Sequence, residues 1–149
     1  MNKTYTINDL SLISGLTTRS LRNYIKDGLL KGDKPDGNWA FTDRQITEFL
    51  SHPSVKPSIQ AKNKAIVFDF LSDEDKKEHA SCVILDYVME THHANHLCAV
   101  LCKSINETSY QHVRFSFEYK KRTARITLSG PESFIIEMMN LASETCKKL

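Results

Sequence analysis

The chain has 149 residues, 40% of them apolar, with four cysteines and a formal charge of +2. That size supports one moderate core or two small ones, and the shifts in composition along the chain favour two. So small a charge excludes a global field as the basis of nucleic-acid binding; any such role rests on where charges sit, with eight Lys/Arg against six Asp/Glu in residues 1–56 and twelve against twelve in residues 57–149.

No run approaches the roughly 18 apolar residues needed to cross a bilayer, and MNKTYTINDL lacks the apolar segment of a secretory leader, so a cytoplasmic location is expected. Cys82, Cys98, Cys102 and Cys146 form no CxxC pair and are expected to be free thiols.

Taken in order, Thr6 with Asp9 reads as a capping box opening a short helix in which Ile7, Leu10 and Ile13 recur at helical spacing. Ser14-Gly15-Leu16-Thr17 breaks it, with Gly15 suited to a positive φ and Thr17 to the next N-cap. The following stretch, TTRSLRNYIKDG, predicts a second helix from Thr17 to Gly28, with Leu21, Tyr24 and Ile25 inward and Thr18, Arg19, Arg22, Asn23 and Lys26 outward. Two helices joined by a turn of about three to four residues make a helix-turn-helix. Arginine can bond a guanine edge or bridge phosphates, asparagine can pair with adenine, and lysine and threonine add backbone contacts. A polar face on any surface helix has a similar composition, so the flanking pattern carries the argument.

Beyond Gly28, the turn-rich KGDKPDGN predicts a β excursion closed by Asp36-Gly37 and returning through Trp39 and Phe41, which is a wing. Thr42 with Gln45 predicts another capping box, opening a helix with Ile46, Phe49 and Leu50 buried and His52-Pro53 at its end.

The segment TINDLSLISGLTTRSLRNYIKDGLL resembles the N-terminal DNA-binding domain of MerR-type transcriptional regulators and the related excisionase-like winged helices. The resemblance covers about residues 4–52. It implies that Arg19 and Arg22 face DNA, that Tyr24 touches the phosphate backbone, and that Lys31 begins the wing. The chain departs from the pattern at Asn23 and Ile25 and in Gly37-Asn38-Trp39-Ala40-Phe41, where the wing arginine is missing. Trp39 then either packs beneath the wing or lies against sugar and phosphate, and wing affinity rests on Lys31 and Lys34. The long pairing helix that usually follows in MerR regulators is not evident.

Residues 53–64, with Pro53 and Pro57, predict a linker. AIVFDFL, residues 65–71, alternates and predicts a strand. Ser72 with Asp75 then predicts the cap of one long helix running to about Ser104, bent near His92 if anywhere, since no Gly or Pro interrupts it. CVILDYVM within it is apolar nearly all round and calls for burial on two sides, a second subunit being one candidate. VRFSFEY and Ala124 to Leu128 predict a hairpin, and Pro131 at N1 begins a last helix buried through Phe134, Ile135, Met138, Met139, Ala142 and Cys146.

His92, His93, His96, Cys98 and Cys102 invite a metal reading, but on one helix His92 and His96 fall on the polar face and the cysteines on the apolar stripe, so no metal is assigned. Lys103 beside Cys102 is a thin basis for redox sensing. Lys120 to Arg122 reads as a solvated hairpin tip. No triad, phosphate loop or paired-carboxylate motif is present in its expected context, so neither an enzyme nor a cofactor is expected.

The expected fold is α+β: a winged helix-turn-helix over residues 1–52, a linker over 53–64, and a β-α-β-β-α domain over 65–149. The expected function is a sequence-specific DNA-binding transcriptional regulator acting on double-stranded DNA as a homodimer through its C-terminal domain, with a small-molecule effector left open. The expected DNA-binding residues are Thr17, Thr18, Arg19, Arg22, Asn23, Tyr24, Lys26, Lys31, Lys34, Asn38 and Trp39. The alternatives are an architectural DNA-bending protein of the excisionase kind and a protein-interaction or sensor module without DNA binding.

Overall fold

The structure, a computed structural model, describes residues 4–149. The chain is mixed helix and strand, and its contacts divide it into two compact units, Met1–Lys62 and Asn63–Leu149.

In the first unit, β1 (Thr4–Tyr5) leads into α1 (Ile7–Ser14), and the Thr6/Asp9 capping box is complete. The Thr6 hydroxyl accepts from the Asp9 N–H at 3.0 Å, and the Asp9 carboxylate accepts from the Thr6 N–H at 2.9 Å. Gly15 ends the helix at φ 74, a left-handed cap. Ser14 is fully buried because its hydroxyl is satisfied twice, donating to the Leu10 carbonyl and accepting from the Leu16 N–H. After α2 (Thr18–Lys26) the wing is minimal. One antiparallel bridge joins Asp33 to Ala40, with Gly37 turning at φ 82. β2 (Phe41–Thr42) pairs with β1, and α3 (Asp43–Ser51) opens on the complete Thr42/Gln45 box and stops at His52. Leu10, Leu21, Leu30, Phe41 and Phe49, none more than 1% exposed, form the centre of this core.

The region that follows corrects several expectations. Residues 56–64, expected as linker, and 65–71, expected as strand, together form the 17-residue helix α4 (Lys56–Ser72), with Pro57 tolerated in its first turn. Burial follows a helical rhythm through Ile59, Asn63 and Ile66, while Phe68 is 69% exposed. The Ser72/Asp75 cap and the long helix to Ser104 do not form. Ser72 ends α4, and the Lys76 ammonium caps that end by donating to the carbonyls of Phe70 and Asp73.

In place of a helix, Ala80–Val88 is strand β3, and α5 (Thr91–Glu107) begins only after it. Val83, Ile84, Tyr87 and Val88 are β-branched or aromatic, which favours a pleated surface. The β-α-β-β-α order stands, with its first strand at 80–88. β4 (Arg114–Lys120) and β5 (Thr123–Pro131) complete an antiparallel sheet in the order β3-β5-β4. β5 runs on through Pro131, so α6 (Glu132–Lys147) starts one residue later than Pro131 at N1 would place it.

One face of the sheet carries Phe115, Phe117, Ala124, Ile126 and Leu128, all buried, and α5 and α6 pack on it through Leu97, Leu101, Phe134 and Met138. Met139, expected inside, is 38% exposed, and Cys146 is half-buried. The other face meets the C-terminal half of α4, where Asn63 donates to Glu118 at 2.9 Å and Arg114 pairs with Asp69. Ser116, Thr127 and Ser129 are buried there.

Candidate nucleic-acid interface

The interface candidate is α2. Thr17 is its N-cap, its hydroxyl accepting from the Ser20 N–H at 3.1 Å and donating to the Ser20 hydroxyl at 3.0 Å, so that group is engaged in starting the helix. Leu21 is fully buried and Ile25 half-buried, and the Tyr24 ring meets Phe49 of α3 edge-on with centroids 5.3 Å apart. These contacts fix which way the helix faces.

Arg19, Arg22, Asn23 and Lys26 are all exposed. They stand at i, i+3, i+4 and i+7, so at 100° per residue they form one stripe about 100° wide on the side opposite Leu21. Among the described residues no carboxylate pairs with Arg19, Arg22 or Lys26. The stripe therefore offers two guanidinium forks, an ammonium and an amide to an outside partner, a donor set matched to phosphates and base edges. Thr18 is half-buried at the start of the same helix.

The wing residues are arranged differently. Lys31 and Asn38 are exposed. Trp39 is half-buried, stacked against Phe41 with centroids 6.2 Å apart, and the Lys34 ammonium lies 4.6 Å from the centre of its indole ring. Lys34 is thus drawn onto an aromatic face, a cation–π contact worth roughly 0.5–1 kcal/mol at an exposed site. Of the wing cations, Lys31 is the one without such a contact among the described residues.

Gly32 has a positioning role that the sequence reading missed. A Cβ there would fall 2.5 Å from the Phe41 ring, so the chain can pass from α2 into the wing only without a side chain at this point. The only signal in the sequence was a glycine between Lys31 and Asp33, with nothing to name its neighbour.

The histidines and cysteines do not converge. The His92 and His93 rings lie tilted against each other with centroids 3.9 Å apart, Cys98 and Cys102 are buried with sulfurs 4.0 Å apart, and no group of three or more metal-ligating side chains comes together among the described residues. Burial pushes the half-buried Cys82 and Cys146 thiols up from their ordinary value, the opposite of what a reactive thiolate needs. Lys121 and Arg122 form the two-residue turn of the β4–β5 hairpin, and Arg122 pairs with Glu90 at 2.6 Å. No helix among the described residues is long and apolar enough to cross a membrane.

Comparison with curated proteins and with solved structures found no match to the chain. Residues 5–51 match the family model described as MerR HTH family regulatory protein, a span holding α1, α2, the wing and α3. Residues 5–51 are thus similar to a MerR-type helix-turn-helix domain, and at the family level the match supports a DNA-binding transcription regulator.

Proposed function

We propose that the protein is a sequence-specific transcriptional regulator. In this reading α2 enters the major groove with Arg19, Arg22, Asn23 and Lys26 toward base edges and phosphates, and Thr17, Thr18 and Tyr24 lie beside the backbone. The wing adds Lys31, with Lys34, Asn38 and Trp39 at its tip. Residues 1–52 bind DNA, and residues 65–149 pair two copies and are the place for any effector. The observation that carries the reading is the exposed stripe of Arg19, Arg22, Asn23 and Lys26, its three cations without a carboxylate partner among the described residues, on a helix whose other side is anchored in the core.

With no wing arginine, one copy makes few phosphate contacts. Each good bidentate base contact discriminates by about 1–3 kcal/mol, so a single helix is modestly selective and two copies on a palindrome double the effect. The test begins with sites selected from random DNA, then fluorescence anisotropy on the selected site. Arg22→Ala should weaken binding about tenfold to a hundredfold with the circular dichroism spectrum unchanged, and Lys26→Ala should lower the salt dependence by about one ion. Unchanged affinity in the folded Arg22→Ala variant would remove α2 as the reader.

A further inference from the structure

The two outer strands of the β3-β5-β4 sheet are protected very differently. β4 carries Arg114, Glu118 and Lys120, and α4 engages the first two through Asp69 and Asn63. Charge and cover of that kind block pairing with another strand. β3 has nine residues in unbroken register with β5, no lysine, no proline and no bulge. Its one charge, Asp86, is neutralised by a two-pronged contact with Arg125 of β5, both distances 2.8 Å.

The register also shows which backbone groups are open. The Met89 N–H donates to the Arg122 carbonyl and the Glu132 N–H donates to the His79 carbonyl, each at 2.9 Å. Hydrogen-bonded pairs alternate along an antiparallel ladder, so residues 81, 83, 85 and 87 turn their backbone groups toward β5. Cys82, Ile84, Asp86 and Val88 turn theirs outward. Of their side chains, Ile84 and Val88 are apolar and uncovered, 54% and 76% exposed. On the opposite face α6 packs over β5 and β3, and its Ile136 and Met139 are exposed. Glu137, 200° around the helix from Met139, takes the Tyr110 hydroxyl from beyond α5, which leaves Met139 on the flank toward the β3 edge.

We propose that β3 pairs with β3 of a second copy of this chain, antiparallel about a two-fold axis through Ile84, joining two three-stranded sheets into one of six strands. The proposal deepens the reading that residues 65–149 pair two copies. The strand is complementary to itself in this register. All nine residues pair, Ile84 meets Ile84, Ala80 meets Val88, and Asp86 meets Cys82 of the second copy. A shift that centred the axis on Asp86 would oppose two carboxylates, and a shift toward Cys82 would leave Val88 unpaired. An isologous contact of this kind closes at two copies, and the α6 helices flank each other with Met139 and Ile136 between them.

The test uses the full chain in analytical ultracentrifugation. The wild type should sediment with the mass of two chains. Ile84→Lys, a change at an exposed side chain, should halve that mass while keeping the circular dichroism spectrum. Ile84→Cys should form a covalent dimer under mild oxidation, because Cα atoms of a hydrogen-bonded pair lie about 5.5 Å apart, within disulfide reach. The wild type should not crosslink, since Cys82 faces Asp86 rather than itself. A wild type that is monomeric at high micromolar concentration, a dimer that persists in Ile84→Lys, or crosslinking through Phe68→Cys on α4 in place of Ile84→Cys would each overturn the proposal. Arg22→Ala separates the two readings: DNA binding lost from a protein that still pairs leaves the strand interface standing, and DNA binding retained by a dimer counts against α2 alone.

Discussion

Gly32 sits where the chain passes from α2 into the wing, and its hydrogen side is filled by the ring of Phe41, which is fully buried. The ring cannot swing into solvent, so Gly32→Ala forces either Phe41 off its rotamer or the wing away from α3. Overpacking of this kind costs about 1–3 kcal/mol, and thermal unfolding should show a lower midpoint for the variant; an unchanged midpoint would mean that the wing gives way freely. Residue-level reading of the sequence succeeded where the partner is close along the chain. Thr6, Thr17 and Thr42 act on a residue three positions ahead, so the caps could be named from spacing alone. Gly32 depends on Phe41, nine positions away across a wing with one bridge, and no local rule gives that distance.

At the scale of elements, residues 4–52 are legible because each of their helices carries its own start and stop signals. The second unit misled where the deciding partner is distant. α4 hides its helical period because its buried face runs Ile59, Asn63, Ile66, and the polar residue in the middle breaks the apolar count. Asn63 is buried there because its amide donates to Glu118, which is 55 residues away. β3 looked helical because no Gly or Pro interrupts the run to Ser104, yet it is held by β5, some forty residues on; tertiary pairing overrode the local pattern. The hairpin between β4 and β5 was expected, but its turn is unusual. Lys121 and Arg122 both take positive φ, 51 and 62, in a two-residue connection that favours Asn-Gly. Left-handed non-glycine residues cost about 1–3 kcal/mol each, whereas the exposed Arg122–Glu90 pair returns less than about 1 kcal/mol. Lys121→Asn with Arg122→Gly should therefore raise the urea midpoint at unchanged slope, by about 1 kcal/mol in stability. A lower midpoint would show that the Glu90 contact outweighs the strain.

For the whole molecule, division into two units makes its response to pH local. Cys82 and Tyr87 on β3 and Cys146 on α6 all belong to the second unit, and each is held above its ordinary value. Burial is the leading cause in all three, and the Cys146 thiol adds to it at Tyr87. The sign follows from linkage. A group whose folded value is raised contributes stability that is fully present below its unfolded value and is lost as pH rises toward the folded one. With ordinary values of 9.0 for the thiols and 10.0 for the phenol, stability should hold near neutrality and fall as pH passes about 9. Asp86 gives the opposite sign, since its bond to Arg125 holds the carboxyl below 3.8 and its contribution is lost in strong acid. Urea unfolding of the full chain from neutral to pH 10 checks the alkaline limb, and Cys82→Ala with Cys146→Ala should flatten the first part of the fall. The comparison belongs at fixed chain concentration, because a dimer joined along β3 covers Cys82 further and makes the loss steeper in concentrated solution than in dilute. A double variant whose alkaline limb matched the wild type would show that burial at the β3–α6 side is not what sets the pH response.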